Sequence, residues 1–169
     1  TDSTFFNVFQ FDAVAGNPQR ALDVASQIVL KQSLAKKIFG NQNPVGKTVR
    51  LSTSNYSNEP MVISAVLKDF PANTSWKFDA VISDFLNDKT ISWYKKSTDR
   101  WGARNFSAFC RLPSNINPDN FRQQLKTLSK EAVVTENASD GITFGTQSYP
   151  QLYRNRTEKS TGAANLKKG

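Results

Sequence analysis

Apolar residues come in short runs along this chain, and the period changes from run to run, so each change marks an expected element. The first cluster, Phe5, Phe6, Val8, Phe9 and Phe11, predicts a short helical turn capped by Asp2 or Ser3. It passes into an extended segment around Phe9 to Val14 that Gly16-Asn17-Pro18 closes. So many aromatics at a chain start need a partner surface, which places the start of the sequence inside a larger fold. Ile28, Val29 and Leu30 read as a short strand. Ser33 then caps a helix that buries Leu34, Ala35, Ile38 and Phe39, turns Lys36 and Lys37 to water and stops at Gly40 as its C′ glycine.

Asn41 to Gly46 is turn chemistry and feeds Lys47 to Leu51, where Val49 and Leu51 alternate with Thr48 and Arg50 as on a half-buried strand. Met61 to Leu67 is an apolar run of strand length broken by Ser64, and Phe78, Ala80 and Ile82 alternate as a further strand of the same sheet. Leu86 to Asn105 is polar and basic, with Trp93, Tyr94 and Trp101 interleaved. Phe106 to Leu112 predicts another strand, in which Cys110 is a small core residue. A helix follows from Asn117, with Pro118 at its first position and Phe121, Leu125, Leu128 and Ala132 as the stripe that packs on the sheet. Ile142 to Gln147 is a last strand candidate, and residues 154–169 read as a polar linker. The pattern as a whole predicts an α+β (mixed α/β) fold, with short strands in a largely antiparallel sheet and two main helices.

Composition narrows the chemistry. The 169 residues suffice for one domain or two small lobes sharing a core, and 38% hydrophobic with 11% aromatic residues excludes a disordered basic tail. Histidine is absent and Cys110 is the single cysteine, so imidazole triads, histidine metal sites, zinc ribbons and internal disulfides are excluded by counting. No run approaches the roughly 20 apolar residues of a membrane-spanning helix. Gly40 to Thr48 superficially suggests a phosphate-binding loop. Five residues separate Gly40 from Gly46 where that loop has four, the expected order is helix, loop, strand, and Pro44 lacks a donor, so the reading is a structural turn. Asp69, Asp79 and Asp84 lie around the later strands, either as solvated turn residues or as an acid/base pair or cation site.

Net charge is +8, with basic residues interleaved among aromatics at Trp93, Tyr94, Lys95, Lys96, Arg100, Trp101 and Arg104. That pattern suits a single-strand nucleic-acid surface, a solvated loop with inward tryptophans, or a domain lying near anionic lipid headgroups. A basic nucleic-acid-binding module and, behind it, a carboxylate-based extracytoplasmic hydrolase are therefore the alternative functions.

Taken together, Phe5 to Phe11, Gly16-Asn17-Pro18 with Ala21-Leu22, Val29-Leu30, Ser33 to Gly40 and Asn43 to Leu51 form one ordered series. Val62 to Ser75, with Lys68-Asp69-Phe70-Pro71, followed by Lys77-Phe78-Asp79, continues it. This series resembles the MacB-type periplasmic core domain of FtsX-like ABC transporter permeases. The resemblance implies a two-lobed extracytoplasmic domain over residues 1–153, partial at its N-terminus, with residues 154–169 leading toward a membrane helix. It further implies no catalytic residue, no metal site and no cofactor, and a structural role for Gly40, Pro44, Gly46, Lys47, Asp69 and Pro71. The implied location is the periplasmic side of the bacterial inner membrane. The implied partners are an ABC ATPase subunit, a second permease copy and a periplasmic adaptor protein, with no nucleic acid. The implied function is to couple ATPase-driven conformational change to export or to a periplasmic partner.

Overall fold

The computed structural model describes residues 1–52, 57–83, 108–136 and 146–151. In chain order its elements are α1 (Phe5–Val8), β1 (Ala13–Gly16), a 3-10 turn (Pro18–Arg20), β2 (Gln27–Lys31), α2 (Gln32–Phe39), β3 (Thr48–Leu51), β4 (Glu59–Leu67), β5 (Ala80–Ile82) and α3 (Pro118–Glu136). The chain divides into two units. One comprises Thr1–Ser97 with Ala108–Cys110, the other Thr98–Ser107 with Arg111–Gly169.

The apolar run of β4 organises the first unit. β2 lies parallel along one edge of β4, and β5 pairs antiparallel on the far side of β2. β3 pairs antiparallel with residues 59–62 of β4 and β1 with residues 65–67. Successive N–H groups of a strand point to opposite edges. Val62 N–H donates to Ser26 on the β2 side and Ile63 N–H to Lys47 on the other, so β3 and β1 share one edge of β4, end to end. Of the four pairings only β2 with β4 is parallel, which makes the sheet largely antiparallel.

Both faces of this sheet are covered. On one, Ile28, Leu30, Met61, Ile63 and Val66 pack with Ala35 of α2; on the other, Val29, Ala65 and Leu67 pack with Phe6, Ala21 and Leu22. Strict alternation along β4 would put Ile63, Ala65 and Leu67 on one face. Instead the register slips at Ser64: Ile28 faces Ile63 but Val29 faces Ala65. Ser64 is therefore the extra residue of a β-bulge, and the phase reverses across it. Its Oγ lies 2.7 Å from the Ala21 carbonyl and 3.3 Å from that of Ile28, which secures the bulge to the 3-10 turn and to β2.

Several local expectations need correcting. The N-cap of α1 is Thr4, whose N–H and Oγ both meet the Asp2 carboxylate. Phe9, the C-cap of α1, already has extended backbone while its amide bonds to the Phe5 carbonyl, and the paired strand begins at Ala13. Ser33 lies inside α2, whose N-cap is Lys31. Gly40 occupies the C-cap itself at φ 61°, its N–H 2.8 Å from the Lys36 carbonyl. Ile38 is half-exposed, since the face of α2 toward the sheet is narrow and centred on Ala35. Phe78 packs on the aromatic face while Ala80 and Ile82 pack on the other, so these three do not form one alternating stripe.

In the second unit, α3 starts as its sequence requires. Pro118 needs no N–H donor partner, and the Asn117 side chain accepts the Asp119 amide at 2.8 Å. Asp119 in the first turn suits the helix dipole and pairs with Arg122, which also donates to Thr146 Oγ1 at 2.9 Å. Phe121, Leu125 and Leu128 are half-buried. The helix belongs to the second unit and the sheet to the first. Ala108 to Leu112 forms no strand, and Cys110 is exposed rather than a core residue. The stretch 84–107, with its basic and aromatic residues, and most of the Ile142–Gln147 strand candidate lie outside the described residues.

Candidate functional site

The C-terminal ends of the parallel pair β2 and β4 meet the start of α2, and the connection 69–79 closes over them. Its two ends are fastened to one three-residue stretch. Asp69 Oδ1 accepts the Ser33 amide at 3.0 Å, meeting one of the donors that the start of α2 leaves unpaired. At the other end, Lys31 N–H donates to the Asp79 carbonyl at 2.8 Å while Lys31 Nζ lies 2.6 Å from Asp79 Oδ1. Thr74 N–H turns back to the Pro71 carbonyl at 3.0 Å. An open cavity of about 430 Å³ is lined by this loop together with Lys31 and Ser33, with Asp69, Phe70, Trp76 and Asp79 among the loop residues.

The Ser33 amide holds the Asp69 carboxyl below its usual range, and the Asp79 carboxylate holds the Lys31 ammonium above its own. The signs give a pH window. Asp69 is depressed in the folded chain, so its contribution is present above about pH 4 and is lost as pH falls through its folded value. Lys31 is raised, so its contribution is present below about pH 10 and is lost as pH rises through its folded value. We expect the stability gap between the native chain and Asp69→Ala to be flat from pH 6 to 8 and to close in acid. For Lys31→Met it should close in strong alkali. Urea midpoints measured from pH 3 to 11 check both.

The loop carries three rings onto the aromatic face. Phe70 and Phe78 lie 4.8 Å apart, edge to face, and each meets Phe11, at 5.3 and 5.7 Å. Trp76 meets Phe5 at 5.4 Å and Phe9 at 4.8 Å. Pro71 sits at the exposed start of the turn.

The other singled-out residues lie in the turn between α2 and β3. Gly40 ends α2, and Gly46, at φ 83°, donates its N–H to the Ile63 carbonyl at 2.8 Å. Lys47 N–H meets the Pro44 carbonyl, and Val45 N–H meets Asn43 Oδ1. Lys47 Nζ contacts Gln42 Oε1 and stands 5.2 Å from the centre of the Phe39 ring. The amides of this turn are thus directed at the protein's own oxygens, and the chain leaves it into a strand. The six singled-out residues fall into two groups: Gly40, Pro44, Gly46 and Lys47 here, Asp69 and Pro71 at the cavity.

Asp69 and Asp79 do share one cavity, as a hydrolytic pair would require. The general acid of such a pair must hold its proton near neutrality, and the Ser33 amide drives Asp69 the other way. Among the described residues no three Cys, Asp or Glu side chains come together as metal ligands, and no helix is long and apolar enough to cross a membrane. The sequence signal missed here was the spacing of Asp69 and Asp79 about a Pro-containing turn; only the sheet order shows that both reach the β2–α2 junction.

The described part of the first unit is thus a sheet covered on both faces, with a loop tied at its end. Residues 1–128 match the profile of the MacB-like periplasmic core domain. The chain belongs to that family, and it is the periplasmic domain of a MacB/FtsX-like ABC permease. Among solved structures, the chain is similar to a domain of a protein described as a permease from Porphyromonas gingivalis. The identity is 20% and the TM-score 0.52, over 78% of this chain and 57% of that one. The periplasmic region of MacB from Actinobacillus actinomycetemcomitans also matches, at 23% identity and TM-score 0.31, over 57% of this chain and 50% of that one. The chain thus spans about half the length of these structures. A search of curated proteins found no match.

Proposed function

We propose that this domain couples conformational change, driven by a separate ABC ATPase subunit, across the membrane to export or to a periplasmic partner. In this reading two permease copies work together with the ATPase and a periplasmic adaptor. Residues 1–153 form the core domain, and residues 154–169 lead toward a membrane helix. The observation that carries it is the family match over residues 1–128, more than two thirds of the chain. A sheet covered on both faces and a loop tied at both ends suit a body that transmits motion without deforming. Gly40, Pro44, Gly46, Lys47, Asp69 and Pro71 serve the fold in this account, shaping the two turns that flank α2.

Cys110 offers the test, because it is the only cysteine of the chain and is exposed. A spin label attached there, in the full-length permease assembled with its ATPase and with any other cysteines replaced, reports the separation of two copies. We expect one distance without nucleotide and a different one with ATP bound. An unchanged distance in an assembly that hydrolyses ATP overturns the coupling reading.

A further inference from the structure

We infer that the 69–79 loop is a tie around the end of the sheet, joining the aromatic layer on one face to helix α2 on the other so that the two respond together. The inference deepens the coupling reading, since a transmitting body needs its two layers joined.

A sheet of short strands does little by itself to hold a helix on one face in step with a segment on the other. The contacts here supply a route around it. Phe11 touches Phe5 and Phe6 at 5.9 Å each and touches Phe70 and Phe78 of the loop, so the loop is embedded in the layer built on α1. From that layer the chain runs one residue back from Phe70 to Asp69 and one residue forward from Phe78 to Asp79. Those two carboxylates grip Ser33 and Lys31, which are the first turn of α2 and its N-cap. The other contact of α2 with the sheet runs through Ala35, its one buried residue, and the half-buried Leu34 and Phe39. Helix α2 is therefore held on its own face by these three side chains and at its first turn by a loop rooted on the opposite face. A disturbance of the aromatic layer should reach α2 through Asp69 and Asp79.

Coupling of this kind requires a cycle of substitutions rather than one. Hydrogen exchange of the 169-residue chain is measured for Phe11→Leu, for Asp69→Ala with Asp79→Ala, and for all three changes together. We expect Phe11→Leu to raise exchange of the α2 amides Lys36 to Phe39 by about tenfold, with Ile28 to Leu30 and Ile63 changed far less. In the Asp69→Ala, Asp79→Ala background the same change should leave α2 where the two alanines had put it. If Phe11→Leu unfolds the chain, Phe78→Leu is read in the same way. An unaltered α2 in the single variant, or an equal effect in both backgrounds, overturns the tie. The exchange concerns this domain alone, so that outcome leaves the transport reading to the Cys110 distances.

Discussion

Replacing Gly16 with alanine should destabilise the folded chain by about 2–4 kcal/mol, the sum of overpacking against backbone and a left-handed conformation that alanine resists. Gly16 ends β1 at φ 76°, opposite Ala65. A Cβ there would stand 2.3 Å from the Ser64 carbonyl oxygen and 2.7 Å from the Ala65 Cα, and neither is a side-chain end that can swing aside. Relief must come from moving β1 away from the bulge, at the point where Ser64 Oγ secures the 3-10 turn. Gly46→Ala is the control: it shares the positive φ but has open space around it, so about 1 kcal/mol is expected. Urea unfolding followed by circular dichroism compares the two. Equal losses would show that conformation and not close approach sets the requirement at Gly16.

Phe6→Ala should cost about 3–5 kcal/mol, in the range for emptying a buried aromatic site and a large share of the 5–15 kcal/mol that holds a typical domain. Phe6 is 1% exposed, although it sits in a helix of only four residues. Such a helix has no stability of its own. It persists because Phe6 fits between Leu22, Val29, Ala65 and Leu67, with the Phe5 ring 5.1 Å away edge to face. Phe9, half-buried at the end of the same helix, should lose roughly half as much on truncation. The same urea series reads both. A loss below about 2 kcal/mol for Phe6→Ala would mean that the aromatic layer collapses into the gap, which a layer rooted on the sheet should not do.

Much of this was legible in the residues. The runs at Ile28–Leu30, Thr48–Leu51 and Met61–Leu67 became β2, β3 and β4, and Asn117-Pro118 opened α3 as its capping chemistry demands. What failed did so where a local signal was overruled by a distant group. Ser33 looked like a cap, yet its own amide, one of the donors left unpaired at the start of α2, is met by Asp69, 36 positions away. Cys110 and its neighbours had the alternation of a strand but found no strand partner among the described residues, and the thiol is exposed. The pairing of Asp79 with Lys31 likewise depends on β5 lying beside β2, an adjacency that no spacing along the chain encodes.

By itself the sequence determined that the segments of β2, β3 and β4 extend, that Gly40 halts a helix, and that this chain holds no imidazole and no internal disulfide. These depend on groups within a turn or two of one another, or on plain counting. Only the tertiary structure decided that β2 lies between β4 and β5, that Ser64 is a bulge reversing the faces of the residues beyond it, and that one loop grips both ends of the β2–α2 junction. The physical reason is that strand order and register are chosen by burying two faces at once, and that choice is made between segments dozens of residues apart.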